Sequence, residues 1–420
     1  MLKKQGVLRT VFSNLWGIPL AAVGLLVAGN AAWAANDEIY SARTQVTLPG
    51  GEKVTSFDIS FVDPVLGLYL LADRTNKSVD VIDTTTNTVL VQLTATPPFA
   101  GATPSNDNAG PDGVITVNHR EVWAGDGPSQ IKVIDLFSQQ TTHVIPTGGV
   151  NRADELCFDP RDQLVLMAND AESPFPFVTL VSTQNYSVLQ TIVMNGTVAP
   201  GGTVQSPAAT NGIEQCQWDR RTGLFYVNIP EVNGPGNDTQ PGAVVTISPI
   251  TLQIVNVYSI PLTKCAGPQG MAIGPDHQIL LGCNNPNKTV PSTVIINDKT
   301  GNVIETVANQ DGSDEVWYND GNGSYFLARS GGLNPQKLGI IDVSADPLRS
   351  DQDVAIGLPN NPPSSPHGTA HSVAADPIFN QTYVPIPSTA GLNVCSNAGG
   401  SDAQGCIAVF TAAHDDAPIP

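Results

Sequence analysis

Positive charge is scarce in this chain of 420 residues: 19 Lys and Arg stand against 38 Asp and Glu, a formal net charge of −19. A protein that tracks nucleic-acid phosphates or docks by a polybasic patch needs the opposite balance, so both classes are excluded as expectations. Charged residues of either sign make up only 14% of the chain, which argues against coiled coils, long helical bundles and an acidic disordered tail. After residue 34 no apolar run is long enough to span a bilayer. Motifs with built-in chemistry are missing as well. There is no H-E-x-x-H, G-x-S-x-G, G-x-x-x-x-G-K-[ST] or EF-hand loop, and no C-x-x-C of the zinc, redox or haem type.

What is abundant is backbone punctuation, 39 Gly and 34 Pro, which favours many short strands joined by turns. The first 34 residues read as an export signal: Lys3, Lys4 and Arg9 precede an apolar stretch over 15–27, and Ala32-Trp33-Ala34 offers an A-x-A cleavage site. Removal of 1–34 leaves one domain over 35–415 and a short tail, 416–420. The expected location is the periplasm or the exterior, as a monomer with no membrane span after cleavage. Disulfides are permissible there. Cys395 and Cys406 flank a Gly/Ser/Asp-rich insertion and Cys265 and Cys283 flank one hairpin, so each is expected to pair; Cys157 and Cys216 either pair or stay as buried thiols.

One unit recurs along the chain: an apolar strand ending in Ile-Asp or its like, then a Thr/Ser turn. It appears at 79–84, 131–136, 178–183, 244–249, 294–298 and 338–343, with a weaker copy at 406–411. Ahead of each copy lies a hairpin whose turn is of Asp-Pro type, as at Asp63-Pro64, Asp159-Pro160 and Asp376-Pro377; the copy around Asn118-His119 fits less well. Two hairpins per unit and seven units predict an all-β, seven-bladed β-propeller of four-stranded antiparallel blades around a channel. The last unit lacks a fourth strand. Residues 42–48, near the N-terminus, are predicted to supply it and close the ring.

The repeats resemble propellers of the YVTN/NHL type, with residues 79–89 nearest that consensus. A local segment, Glu214-Gln215-Cys216-Gln217-Trp218, is similar to the regucalcin/gluconolactonase family, in which a Glu four residues before a Trp ligates a divalent metal. The resemblance implies that role for Glu214.

The residue five positions before each inner turn lies where the first strand enters the ring. Those residues are Asp58, Gly113, Asp154, Glu214, Gln269, Asp314 and His371, with Asp112, Glu155 and Glu315 adjacent. Carboxylates crowded on one axis repel, and the cost falls if a cation sits among them or some stay protonated. Hard oxygen donors suit Ca, Mg or Mn, and His371 shifts the preference toward Mn or Zn. The expected metal ligands are Asp154, Glu214, Asp314 and His371, with Glu155, Asp58 or Glu315 as the base. The competing expectation is a solvated acidic funnel whose carboxylates cap backbone N–H groups.

His367 and His371 flank the end of a Pro-rich run, 359–366, that reads as a stiff surface loop or a lid; one His rather than both is expected at the channel mouth. Trp123, Trp218 and Trp317 are expected as core between blades. Three functional readings stay open: a metal-dependent hydrolase, lactonase or lyase acting on a small molecule; a propeller that binds a small ligand or cation without reaction; and a docking platform for a protein or polysaccharide partner.

Overall fold

The turn aspartates explain why the repeat folds as it does. In a computed structural model that describes residues 39–287, 290, 292–330, 335–344, 348–358 and 371–413, Asp63 Oδ1 accepts the backbone N–H groups of Val65 and Leu66 at 3.0 and 3.1 Å. Asp159 does the same for Arg161 and Asp162, and Asp376 accepts from Ile378. At the next turn of the unit Asp83 accepts from Thr85 and Thr86, and Asp135 from Phe137 and Ser138. A short side chain that closes its own turn fixes the hairpin, which is why Asp recurs there.

These hairpins build seven four-stranded antiparallel sheets. Blades one to six cover residues 60–93, 114–146, 156–193, 216–260, 268–308 and 313–357. In blade one the second strand, Leu68–Asp73, is buried throughout and the third, Ser78–Asp83, nearly so, whereas the fourth, Thr88–Leu93, is half exposed. Inner strands are packed between two neighbouring blades and therefore read as continuous apolar runs; outer strands face water on one side.

In blade seven the strands run outward from the axis in the order Ala374–Asp376, Gln381–Ile386, Cys406–Ala413 and the N-terminal strand Ile39–Val46. The register runs from Ile39 opposite Ala413 to Val46 opposite Ile407. The N-terminal strand thus closes the ring as expected. Tyr40 anchors it: the residue is 2% exposed, its ring meets Phe326 of blade six edge-on at 5.5 Å, and its hydroxyl accepts from Asn322 Nδ2 at 2.7 Å.

All six cysteines pair. Cys265–Cys283 and Cys395–Cys406 form as expected, and Cys157–Cys216 joins the inner strands of blades three and four. Three disulfides fit an oxidising, non-cytoplasmic setting. Among the described residues no helix is long and apolar enough to cross a membrane. Residues 1–34, expected to be an export signal, the Pro-rich run 359–366 with His367, and the tail 416–420 lie outside the described residues.

Deleting residues 40–49 removes one strand of blade seven and exposes the edge of Cys406–Ala413. The expected outcome is loss of cooperative thermal unfolding and aggregation on expression; a truncated chain that melts with the parent's Tm overturns closure by this strand.

Candidate functional site

Because every blade contributes one inner strand to the axis, residues at the same station meet as a ring. The backbone N–H groups of Asp58, Asp112, Asp154 and Glu214 each donate to the equivalent carbonyl of the second strand, those of Ala72, Gly125, Ala168 and Asn228, at 2.9–3.0 Å. Blade two therefore places Asp112, not Gly113, in the ring. Its inner turn spans three residues where blade one has four, and it bends through Asn118 and His119, both at φ 52°. Counting back from the turn gives the wrong residue there. Gln269, Asp314 and His371 hold the station in blades five to seven.

Gly113 has a different duty one step deeper. Its N–H donates to the carbonyl of Asp154 at 2.8 Å, and a Cβ would lie 2.0 Å from that oxygen, so only glycine permits blades two and three to approach this closely.

The ring carries its own cations. The guanidinium of Arg74, which follows the second strand of blade one, ion-pairs with both Asp58 and Asp112, and all three side chains are buried. Arg152 pairs with Asp154 at 2.7 Å and with Asp170 at 3.0 Å. His371 places Nδ1 2.5 Å from Asp314 and Nε2 on Asp58. Burial disfavours its charged form, yet the two carboxylates outweigh that and hold its pKa well above the ordinary histidine value. An imidazolium with both nitrogens donating has no lone pair left for a metal.

The four expected metal ligands thus share one level but not one ligand set. His371 and Asp314 bond to each other, Asp154 is held by Arg152, and Glu214 accepts from Gln269 Nε2 at 3.2 Å. Among the described residues the group whose oxygens converge within 4.8 Å is Asp58, Asp112 and Asp154. Asp112 Oδ2 is buried there with no hydrogen-bond partner. Burial, with Asp58 and Asp170 adding repulsion against the pull of Arg152, pushes Asp154 up to about 7. Burial also raises Asp112 and Glu214, whereas Arg74 and His371 overcome it at Asp58 and hold that carboxyl far below the usual range.

One step along each inner strand lies a second ring containing Glu155, Gln215 and Glu315. Glu155 and Glu315 hydrogen-bond to each other from blades three and six, and burial together with mutual repulsion keeps a proton on the pair far above the ordinary carboxylate range. Gln215 reaches to blades five and six, its Oε1 accepting from the N–H groups of Met271 and Val316 and its Nε2 donating to the carbonyl of Val316. Of the three expected bases, Glu155 and Glu315 are paired together, and Asp58 is committed to Arg74 and His371.

Beyond this second ring the channel opens into a chamber of about 460 Å³ that extends to the inner hairpin turns. Glu155 and Gln215 close its inner end; Phe61, Phe158, Trp218 and Trp317 line its walls, and the Cys157–Cys216 disulfide belongs to one side. Trp218 and Trp317 also pack against the cores between blades, as expected, but the same rings face the chamber. Trp123 is wholly core, stacked on Tyr186.

Arg74, Arg152 and the chamber are what sequence reading missed. A signal existed for Arg152, two residues before a ring acid in a chain poor in arginine; Arg74 reaches the ring from another strand end and left none.

No family model and no curated protein matches the chain, so nothing there supports the YVTN/NHL or regucalcin/gluconolactonase resemblance. Solved structures do match. A chain of the crystal structure of the Mitotic Checkpoint Complex superposes with a TM-score of 0.55 at 12% identity, covering 95% of this chain and 100% of its own. A chain of Kuenenia stuttgartiensis Hydrazine Synthase gives 0.59 at 14% identity over 89% and 99%. At such identities the likeness shows the fold alone.

The raised groups set the sign of a pH dependence. Asp154, Glu155, Glu315 and His371 keep protons in the folded chain at pH values where the unfolded chain has released them, so stability falls as pH rises through those values. For His371 the contribution is complete below about 6.5 and is lost as pH climbs through its raised value; Asp58 acts oppositely, only below about 4. The Tm is expected to be higher near pH 5 than near pH 8, with a shallower decline in Glu155→Gln. A Tm that is flat across this range contradicts the assignment.

Proposed function

We propose that this chain is an exported β-propeller that binds a small molecule in the channel chamber, between the second ring and the inner hairpin turns. The observation that carries the reading is the chamber itself: about 460 Å³, walled by aromatic rings, with the Glu155 carboxyl and the Gln215 amide at one end. That combination of apolar wall and few convergent polar groups is what ligand pockets of this size share. Export rests on the residues of the 1–34 segment and on the three disulfides.

A catalytic form of this reading uses the same carboxyl. Glu155 lines the chamber and burial raises its pKa, so in this form general acid–base hydrolase, lactonase or lyase chemistry falls to Glu155, with Glu315 beside it, rather than to Asp58. A docking role toward protein or polysaccharide has no comparable feature in its favour.

A second reading, a resident Ca, Mg, Mn or Zn ion, is favoured by one observation, the convergence of Asp58, Asp112 and Asp154 with an orphaned oxygen on Asp112. Such an ion competes with Arg74, whose guanidinium already bridges two of these acids.

N-phenyl-1-naphthylamine, a neutral apolar fluorophore, tests the chamber. The parent is expected to bind it at one site with quenching of tryptophan emission, and Gln217→Trp, which adds bulk to the chamber wall, to weaken binding at least tenfold. Equal binding by the variant, or none by the parent, overturns the reading. For the ion, elemental analysis of the purified full chain is expected to find about one equivalent of divalent metal, and chelator to lower Tm; metal-free protein with an unchanged Tm removes it.

A further inference from the structure

The chamber has a neighbour at the turn end of the channel. It occupies the side of blades one to four, and on the side of blades four to seven lies a second cavity of about 620 Å³. Pro64, Trp218 and Trp317 line both, so the two hollows adjoin across these residues, and a ligand that passes them touches each. Their chemistry differs. The chamber has Phe61 and Phe158 on its walls and neither lysine nor arginine, and Asp63, at its outer end, is held by Thr116 and His119. The second cavity carries charge of both signs. One part of that charge is structural: Arg221 is bound to Asp219 at 3.2 Å and to the carbonyl of Gly274 at 2.9 Å. The other part is free, because Arg220, Asp276 and Asp320 line the cavity, are exposed, and make no ion pair among the described residues. Burial raises the pKa of the Tyr318 hydroxyl, and the nearby carboxylates of Asp320 and Asp276 raise it further, so a hydroxyl donor stands beside two acceptors.

Resting on the reading that the chamber holds a small molecule, we infer that the site has two lobes and takes a neutral amphiphile of the glycoside class, with an aromatic or alicyclic body in the chamber and a polyhydroxylated head in the second cavity. Free charges of both signs decide the head. A cationic head meets Arg220 as like charge, and an anionic head meets Asp276 and Asp320 in the same way. A hydroxyl both donates and accepts, so a ring of several hydroxyls bonds to a guanidinium and to carboxylates at once, and hydrogen bonds to ionised groups are the stronger kind. The C–H face of a sugar ring also packs on an aromatic wall, which Tyr318 and Trp317 supply. The body follows from the chamber, whose apolar walls favour an apolar group. Arg161 already lies over the Trp218 ring at 5.7 Å, which opposes a cation beside that indole.

The test titrates a set of naphthyl compounds into the full chain by calorimetry. 1-Naphthyl β-D-glucopyranoside has body and head, and 1-naphthol has the body alone. 1-Naphthylmethylammonium, 1-naphthyl phosphate and 3-(1-naphthyl)alanine replace the head by a cation, an anion and a zwitterion. The parent is expected to bind the glucoside about fivefold or more tightly than 1-naphthol and than each charged analogue. When Asp276→Ala and Asp320→Ala are combined, both at exposed positions that carry no core packing, the advantage of the glucoside over 1-naphthol is expected to shrink below about twofold. An advantage that survives intact in this double variant, or any of the other four compounds binding the parent as tightly as the glucoside, overturns the inference yet leaves the chamber a ligand site. Binding of none of the compounds, together with failure of N-phenyl-1-naphthylamine, overturns the chamber reading itself.

Discussion

Seven strands that converge on one axis leave their side chains no choice of neighbour. In a flat sheet a carboxylate can turn to water; at the ring station of this propeller Asp58, Asp112 and Asp154 must share the same few ångströms. The fold therefore demands compensation before any function is considered, and the chain meets that demand from within, by Arg74, Arg152 and His371. Uncompensated, such a cluster would be costly enough to oppose ring closure. With three cations among the acids it becomes a polar plug that ties blades one, two, three, six and seven together across the axis.

Compensation at the first ring decides what the second ring can do. Glu155 and Glu315 are beyond the reach of the cations, so the acids solve their repulsion by sharing a proton. Gln215 seals the adjoining gap by bonding to blades five and six. The channel is thereby divided into a charged, filled end and an open, aromatic end, with the carboxyl pair at the boundary. A position of this kind combines burial, perturbed acidity and open space, which is where carboxyl groups acquire work.

Architecture was legible in the sequence because it is written locally. Each turn Asp bonds to N–H groups two and three residues away, so the repeat shows itself wherever those residues recur, and the missing strand of blade seven shows itself as a gap in the count. The first-ring residues were legible for the same reason, apart from blade two, where a shortened turn moved the station by one residue. Partners were not legible. Arg74 reaches Asp112 across 38 positions and His371 reaches Asp58 across 313, and no local pattern records either meeting. Acids were countable along the chain, whereas the cations that answer them were not.

The same reasoning explains why the aromatic chamber escaped notice. Trp218 and Trp317 do serve the cores between blades, as their positions in the hairpins imply, but a residue of the innermost strand has its other side on the channel. Whether that side meets packed side chains or open space depends on what the facing blades contribute. Here Gly113, forced to be small by the 2.8 Å approach to Asp154, fills little of the axis, and the long side chains at the charged end are drawn toward their ion pairs instead of into the channel. The open space at one end is thus the complement of the electrostatic plug at the other.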